Sequence, residues 1–197
     1  MRNAVIYVMA GLSGFIVMSF ELLGGRMLAP WFGSGTYVWG SIITVFMAAL
    51  AIGYLLGGRL SLHSPSLSRY ASLFILAAVL LAPLVTYADR LLEWTFNLVE
   101  DERYGSLLAA TLLFAPGTVL LGMISPYSVR LLVEDTHRSG AVAGVLYFVS
   151  TLGSALGTLL TSFYFVLWFE MNTIVIALSA TLTALALLGA IADRVAR

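Results

Sequence analysis

The sequence has no cysteine, only two histidines, and charged side chains at just 10% of its 197 positions. Without cysteine there is no disulfide framework, no thiolate metal site and no cysteine nucleophile. His63 and His137 are too isolated to build a metal site, so no metal or cofactor is expected. No Ser-His-Asp set, phosphate-cradling glycine loop or zinc spacing occurs, which leaves no visible catalytic constellation; the chain is not expected to be an enzyme. Lysine is also missing. The ten basic residues are all arginine and are balanced by ten acids, and a formal charge of zero gives no case for nucleic-acid binding.

What the sequence has is apolar length. Hydrophobic residues make up 60% of it, against about 45–50% in an average soluble domain, so the solvent for most of the chain must be lipid. A helix needs about 20 apolar residues to cross about 30 Å of hydrocarbon. Six charge-poor runs are long enough: Ala4 to Leu28, Tyr37 to Leu60, Tyr70 to Tyr87, Ser106 to Arg130, Gly140 to Phe169 and Met171 to Asp193. They predict one all-α, six-helix transmembrane domain over residues 1–197 with no stretch left for a soluble catalytic domain. The first run lacks a small-residue cleavage pattern followed by soluble sequence, so it is expected to be retained rather than removed as a signal peptide.

Arginines in short loops mark the cytoplasmic side. With the N-terminus inside, Arg2, Arg59, Arg69, Arg130, Arg138, Arg194 and Arg197 are cytoplasmic, against Arg26, Arg90 and Arg103 outside. This predicts a multi-pass protein of the inner (plasma) membrane of a prokaryotic cell with both termini cytoplasmic. The outer loop between the third and fourth runs carries Asp89, Glu93, Glu100, Asp101 and Glu102, and its Leu91, Trp94, Leu98 spacing predicts a short interfacial helix. Trp31, Tyr37 and Trp39 fit an interfacial aromatic belt or, alternatively, cation–π contact with a solute.

An offset of 104 positions aligns the end of the first run and the second with the end of the fourth and the fifth. Nine of the 32 positions from Arg26 to Gly57 are then identical, where about three would arise by chance in so apolar a chain. Among them are Arg26 with Arg130, Gly40 with Gly144, Ala51 with Ala155 and Gly53 with Gly157. Two units of three spans, residues 1–98 and 104–197, must cross the membrane in opposite senses, as in the inverted three-plus-three repeat of one half of a major facilitator transporter. Gly53 and Gly57, Gly140 and Gly144, and Gly153 and Gly157 are spaced four apart, as where helices approach closely within a bundle or between subunits. The expected helix-packing set is Gly40, Gly53, Gly57, Gly144, Gly153 and Gly157.

Glu21 is an acid deep within a predicted span, where burial costs at least about 2.5 kcal/mol. It should face the bundle interior and have a partner. A spacing of five puts Arg26 about 140° away on a regular helix, so pairing with it needs the helix to loosen at Gly24–Gly25 or Pro30; Arg130 is the other candidate. The two readings are a buried ion pair that fixes helix register and a proton or cationic-substrate site. In the fourth span, Pro116, Gly117, Ser125, Pro126 and Ser128 interrupt the backbone bonding, either as a kink packed by neighbours or as a cavity wall. The candidate substrate or proton site is therefore Glu21, Arg26, Trp39, Arg130 and Ser125.

The run from Glu21 to Ser34, ELLGGRMLAPWFGS, with Tyr37-Val-Trp39 and the run from Ala51 to Arg59, AIGYLLGGR, resembles the membrane domain of membrane-bound spermidine synthase-like proteins. So do Gly122 to Arg130, GMISPYSVR, and Tyr147 to Gly157. In many relatives a cytoplasmic aminopropyltransferase domain follows the helices. The sequence stops at Arg197 without that enzyme's glycine-rich nucleoside site and catalytic aspartates, so aminopropyl transfer does not carry over. Gly57 to Arg69 loosely resembles the loop between the second and third helices of major facilitator transporters, without its usual acid. Six helices offer half of the usual twelve-helix transporter cavity, which predicts a transporter-like homodimer in the lipid bilayer moving a small polar or cationic solute; the resemblance puts polyamines first. The alternative is a non-transporting anchor or regulatory module for a separate, soluble aminopropyltransferase-like enzyme.

Overall fold

A computed structural model describes residues 2–133 and 135–195; Arg197, counted above among the inside arginines, lies outside them. Every regular element among the described residues is helical. The elements are α1 (Arg2–Phe32), α2 (Thr36–Leu60), α3 (Leu67–Leu81), α4 (Leu84–Leu98), α5 (Glu102–Leu132), a 3₁₀ turn (Thr136–Arg138), α6 (Ser139–Leu160), a π-helical segment (Thr161–Phe165), α7 (Val166–Trp168) and α8 (Met171–Val195). Helix α1, α2, α5, α8 and the continuous stretch from α6 to α7 are each long and apolar enough to cross a membrane, which fits a multi-pass membrane protein.

The third expected run is different. Instead of one span over Tyr70–Tyr87, two helices of 15 residues meet at a 56° bend. Pro83, at the N-cap of α4, has no N–H to continue the α3 ladder, and its ring crowds the preceding turn. At 15 residues, α3 reaches about 22 Å, short of a full hydrocarbon core. Taken together as one bent span, α3 and α4 are apolar and long enough to cross, which gives five or six candidate crossings among the described residues. Its Leu84, Ala88, Leu92 and Thr95 are buried, while Trp94 and Leu98 are more than half exposed. The amphipathic helix expected at Leu91–Leu98 therefore begins a full two turns earlier. Its Phe96 ring lies 6.0 Å from Trp31 and 5.7 Å from Phe32, at the end of α1.

Side-chain contacts fix the directions of the helices. Tyr70 at the start of α3 hydrogen-bonds Ser128 near the end of α5 at 2.7 Å, whereas Ser41 and Ser106, near the starts of α2 and α5, meet at 3.3 Å. Ser13-side residues of α1 run parallel to α6, because Gly14 lies on Ser150 and Ser19 accepts a 2.8 Å bond from Thr161. The start of α1 and the ends of α2, α5 and α8 therefore share one face, called here the N-terminal face. Gly33 ends α1 with φ +75, a conformation that suits glycine, and its N–H bonds to Ala29. Tyr37 then ties α2 down, its single hydroxyl proton donated to Glu102 at 2.6 Å with the Phe32 carbonyl also within 3.2 Å.

In lipid, close packing between helices replaces the hydrophobic drive. The principal seams are α2 on α5, α1 on α6 and α3 on α8. A Cβ on Gly53 would fall on the Val119 carbonyl oxygen, and one on Gly57 would come within 2.6 Å of the Met123 Cα. Likewise a Cβ on Gly153 would fall on the Gly11 carbonyl, and one on Gly157 on the Phe15 carbonyl. A Cβ on Gly40 or Gly144 would meet nothing within 4 Å among the described residues, so the structure gives neither glycine the expected packing role. Along α6 only Leu146 and Gly157 are buried, so that helix holds to α1 through one narrow seam and turns Phe148, Leu152 and Leu156 outward.

Candidate functional site

Between α1, α2, α5 and α6 lies a cavity of about 440 Å³. Ala10 to Met18 of α1, Leu50 and Tyr54 of α2, Leu121 to Pro126 of α5 and Tyr147 to Ser154 of α6 contribute its walls. Each stretch occupies the middle of its helix or the half toward the N-terminal face. Seven wall residues carry hydroxyls: Ser13, Tyr54, Ser125, Tyr147, Ser150, Thr151 and Ser154. None of these hydroxyls has a hydrogen-bond partner among the described residues. Other hydroxyls of α5 and α6 bond back to the carbonyl one turn earlier, as Ser128 does to Ile124 at 2.7 Å and Thr158 to Ser154 at 3.0 Å, whereas Thr118 of α5 is buried without a partner among the described residues. No charged residue lines the cavity. Its chemistry is that of neutral donors and acceptors set in an apolar wall.

Helix α5 stays α-helical through Pro116 and Pro126. Pro126 removes one backbone donor, so the Gly122 carbonyl one turn earlier loses its helical partner beside the cavity. Of the five residues singled out from the sequence, Ser125 alone is on the cavity wall. Glu21 is half-buried on α1, seven residues and so two turns beyond Gly14 on the same stripe, about 10.5 Å further along the axis. Its carboxylate has no hydrogen-bond or ion-pair partner among the described residues. The Arg26 guanidinium instead donates to the Val166 carbonyl at 2.9 Å, capping the chain's path out of α6. Arg130 is exposed at the end of α5. The glycine pair does not loosen α1: Gly24 seats the Phe114 ring and Gly25 seats the Trp39 indole, each too close for a Cβ without a shift. Trp39 is thus a packing partner of α1, 36% exposed at its outer edge.

Two residues past Met18 on α1, four before Leu50 on α2 and seven before Leu121 on α5, and so further from the N-terminal face than the cavity wall, three buried phenylalanines meet. Phe20 meets Phe114 with ring centroids at 5.2 Å, and both meet Phe46 at 5.7 Å. All are at most 1% exposed. Among the described residues no group of three or more His, Asp or Glu side chains gathers that could hold a metal ion.

Sequence reasoning missed Ser13, Tyr54, Tyr147, Ser150, Thr151 and Ser154. The signal for α6 was present: Tyr147, Ser150, Thr151 and Ser154 repeat at helical spacing on one face of an apolar span. Helices of this length and composition are compatible with a multi-pass membrane protein. Comparison with known protein families, curated proteins and solved structures returns no match to this chain. The resemblance to spermidine synthase-like membrane domains rests on the motif runs alone.

Proposed function

We propose that the chain is a transporter-like protein for a small polar solute, working as a dimer of half-transporter bundles with both termini cytoplasmic. The observation that carries this is the set of seven hydroxyls, unpartnered among the described residues, on one cavity between α1, α2, α5 and α6. Ser13 is buried and Ser125, Ser150 and Ser154 are partly buried, while Tyr54, Tyr147 and Thr151 are exposed, so the wall presents donors and acceptors that water or a solute can answer. Six described arginines on the N-terminal face, against Arg26, Arg90 and Arg103 toward the other, support the orientation.

The inverted repeat is supported at the level of single contacts. Gly53 packs on the carbonyl of Val119, and its counterpart Gly157, 104 positions later, packs on the carbonyl of Phe15, 104 positions before Val119. Gly57 meets Met123, and their counterparts Thr161 and Ser19 share a hydrogen bond. These matched contacts support reading the α2–α5 seam and the α6–α1 seam as one interface used twice in opposite senses. Two copies facing each other across α2 and α6 would give the cavity a second wall and cover the outward apolar side of α6.

Glu21 favours a second version of the reading, in which the solute is cationic and polyamines are the first candidates, because an unpartnered carboxylate at that depth suits a positive ligand. Flux into proteoliposomes of a neutral polyol and of putrescine, compared between the parent and Ser150→Ala with Ser154→Ala, tests both versions. Loss of two solute hydrogen bonds predicts about a tenfold drop in flux with the melting temperature unchanged. Flux absent for both solutes, together with co-purification of an aminopropyltransferase-like enzyme, would instead favour the anchor role.

A further inference from the structure

The 104-position offset that relates the two seams also relates the cavity to the phenylalanine cluster. Three cavity-wall residues, Ala10, Ile124 and Ser150, have as counterparts Phe114, Phe20 and Phe46. Two further pairs of wall residues, Val17 with Leu121 and Leu50 with Ser154, are counterparts of one another. The cavity therefore ends at the axis relating the two units, and the space on the other side of that axis is the one the three rings fill. The same place in the architecture is occupied twice. On the side of the N-terminal face it is bordered by alanine, serine and isoleucine and stands open; on the far side three mutually contacting rings, buried to within 1%, occlude it.

We propose that Phe20, Phe46 and Phe114 are the closed gate of a pathway whose open half is the hydroxyl-lined cavity, so that the structure is the state open toward the N-terminal face. The inference rests on the transport reading for the word pathway, but the gate itself is a matter of access. Ring contacts, two edge-on and one tilted, with no hydrogen bond to break, suit a gate: rings can part by rotamer change and hinge motion of α1 against α5 without stranding a polar group. The offset also gives Glu21 a place. Its counterpart is Ser125, on the wall of the open half. Parting the rings would make Glu21 the corresponding wall residue of the far half, so a solute would meet a carboxylate when the gate is open and hydroxyls alone when it is closed. That accounts for an acid held half-buried on the cavity stripe with no protein partner.

The cysteine-free chain allows a direct test. Ser125→Cys is reconstituted in sealed, oriented proteoliposomes and reacted with a membrane-impermeant maleimide from either face. The gate predicts reaction from the N-terminal face and, from the far face, a rate at least about tenfold lower, as for a state populated at 10% or less. Giving the gate its counterparts' residues, Phe46→Ser with Phe114→Ala, should raise the far-face rate about tenfold. The reverse exchange, Ala10→Phe with Ser150→Phe, should abolish reaction from the N-terminal face. Equal rates from both faces in the parent, or a far-face rate unmoved in a folded Phe46→Ser, Phe114→Ala protein, would overturn the gate. Where loss of two rings unfolds the bundle, Phe46→Ser alone and the reverse exchange decide by the same criteria. Because the readout is access, a protein that gates but carries no solute would refute the transport reading and leave the gate standing.

Discussion

Alanine substitutions at four glycines separate the seams from the surface. A Cβ at Gly53 would stand 2.9 Å from the Gly122 Cα as well as on the Val119 oxygen; at Gly157 it would stand 2.9 Å from the Phe15 Cα. Ordinary contact begins at 3.4 Å, and the obstructing atoms are backbone, so neither seam can yield by turning a side chain. The helices must part by half an ångström or more, which loosens every contact along the seam. Overpacking of this kind costs about 1–3 kcal/mol. Gly40→Ala and Gly144→Ala meet nothing within 4 Å and should be neutral or slightly stabilising, since alanine loses less backbone entropy in a helix. Melting followed by circular dichroism or by loss of the monodisperse peak in detergent should therefore place Gly53→Ala and Gly157→Ala below the other pair by about 2–12 °C. The two members of each pair should behave alike, because they are repeat counterparts. Four indistinguishable melting temperatures would refute the seams, and a large effect at Gly53 with none at Gly157 would refute their equivalence.

Glu21→Gln should leave the melting temperature within a few degrees of the parent, because the carboxylate has no ion pair to lose; a drop of about 3–5 kcal/mol rescued by adding Arg26→Gln would show a pair that the structure lacks. Ser19→Ala should destabilise by about 1–3 kcal/mol, since the buried Thr161 hydroxyl donates to Ser19 at 2.8 Å, and a double-mutant cycle with Thr161→Val should show most of that cost to be shared. Cysteines placed at Tyr104 and at Ser139, both exposed near the starts of α5 and α6, should label from opposite faces of the membrane, and labelling of both by one impermeant reagent on intact cells would contradict the order of crossings.

The long spans were legible because lipid leaves one solution for an apolar run of that length, and Pro126 pointed toward Ser125. Other features depend on what lies across the bundle. The bend at Pro83 was hidden because the apolar run continues through Leu84 and Val85 into α4, so hydropathy does not register the change in direction. Whether a serine in an apolar helix bonds its own backbone or faces a cavity is set by the opposing helix, which is why Ser150 and Ser154 escaped notice while Ser128 looks the same in sequence. The Gly24–Gly25 pair fits a weak point in α1 equally well as two seats for aromatic rings, and only the position of Phe114 and Trp39 distinguishes them. The partner expected for Glu21 failed for a similar reason: Arg26 finds its acceptor at Val166, 140 residues away in sequence.

The central claim is that the cavity between α1, α2, α5 and α6 is a solute site in a membrane. A structure determined in a lipid nanodisc with the solute that flux assays select tests it most directly. The account predicts two copies related by a twofold axis, with the solute hydrogen-bonded to Ser125, Ser150 and Ser154 and the three phenylalanines closed beyond it. An acyl chain filling the cavity of a single copy, with those serines bonded back to their own helices, would contradict it.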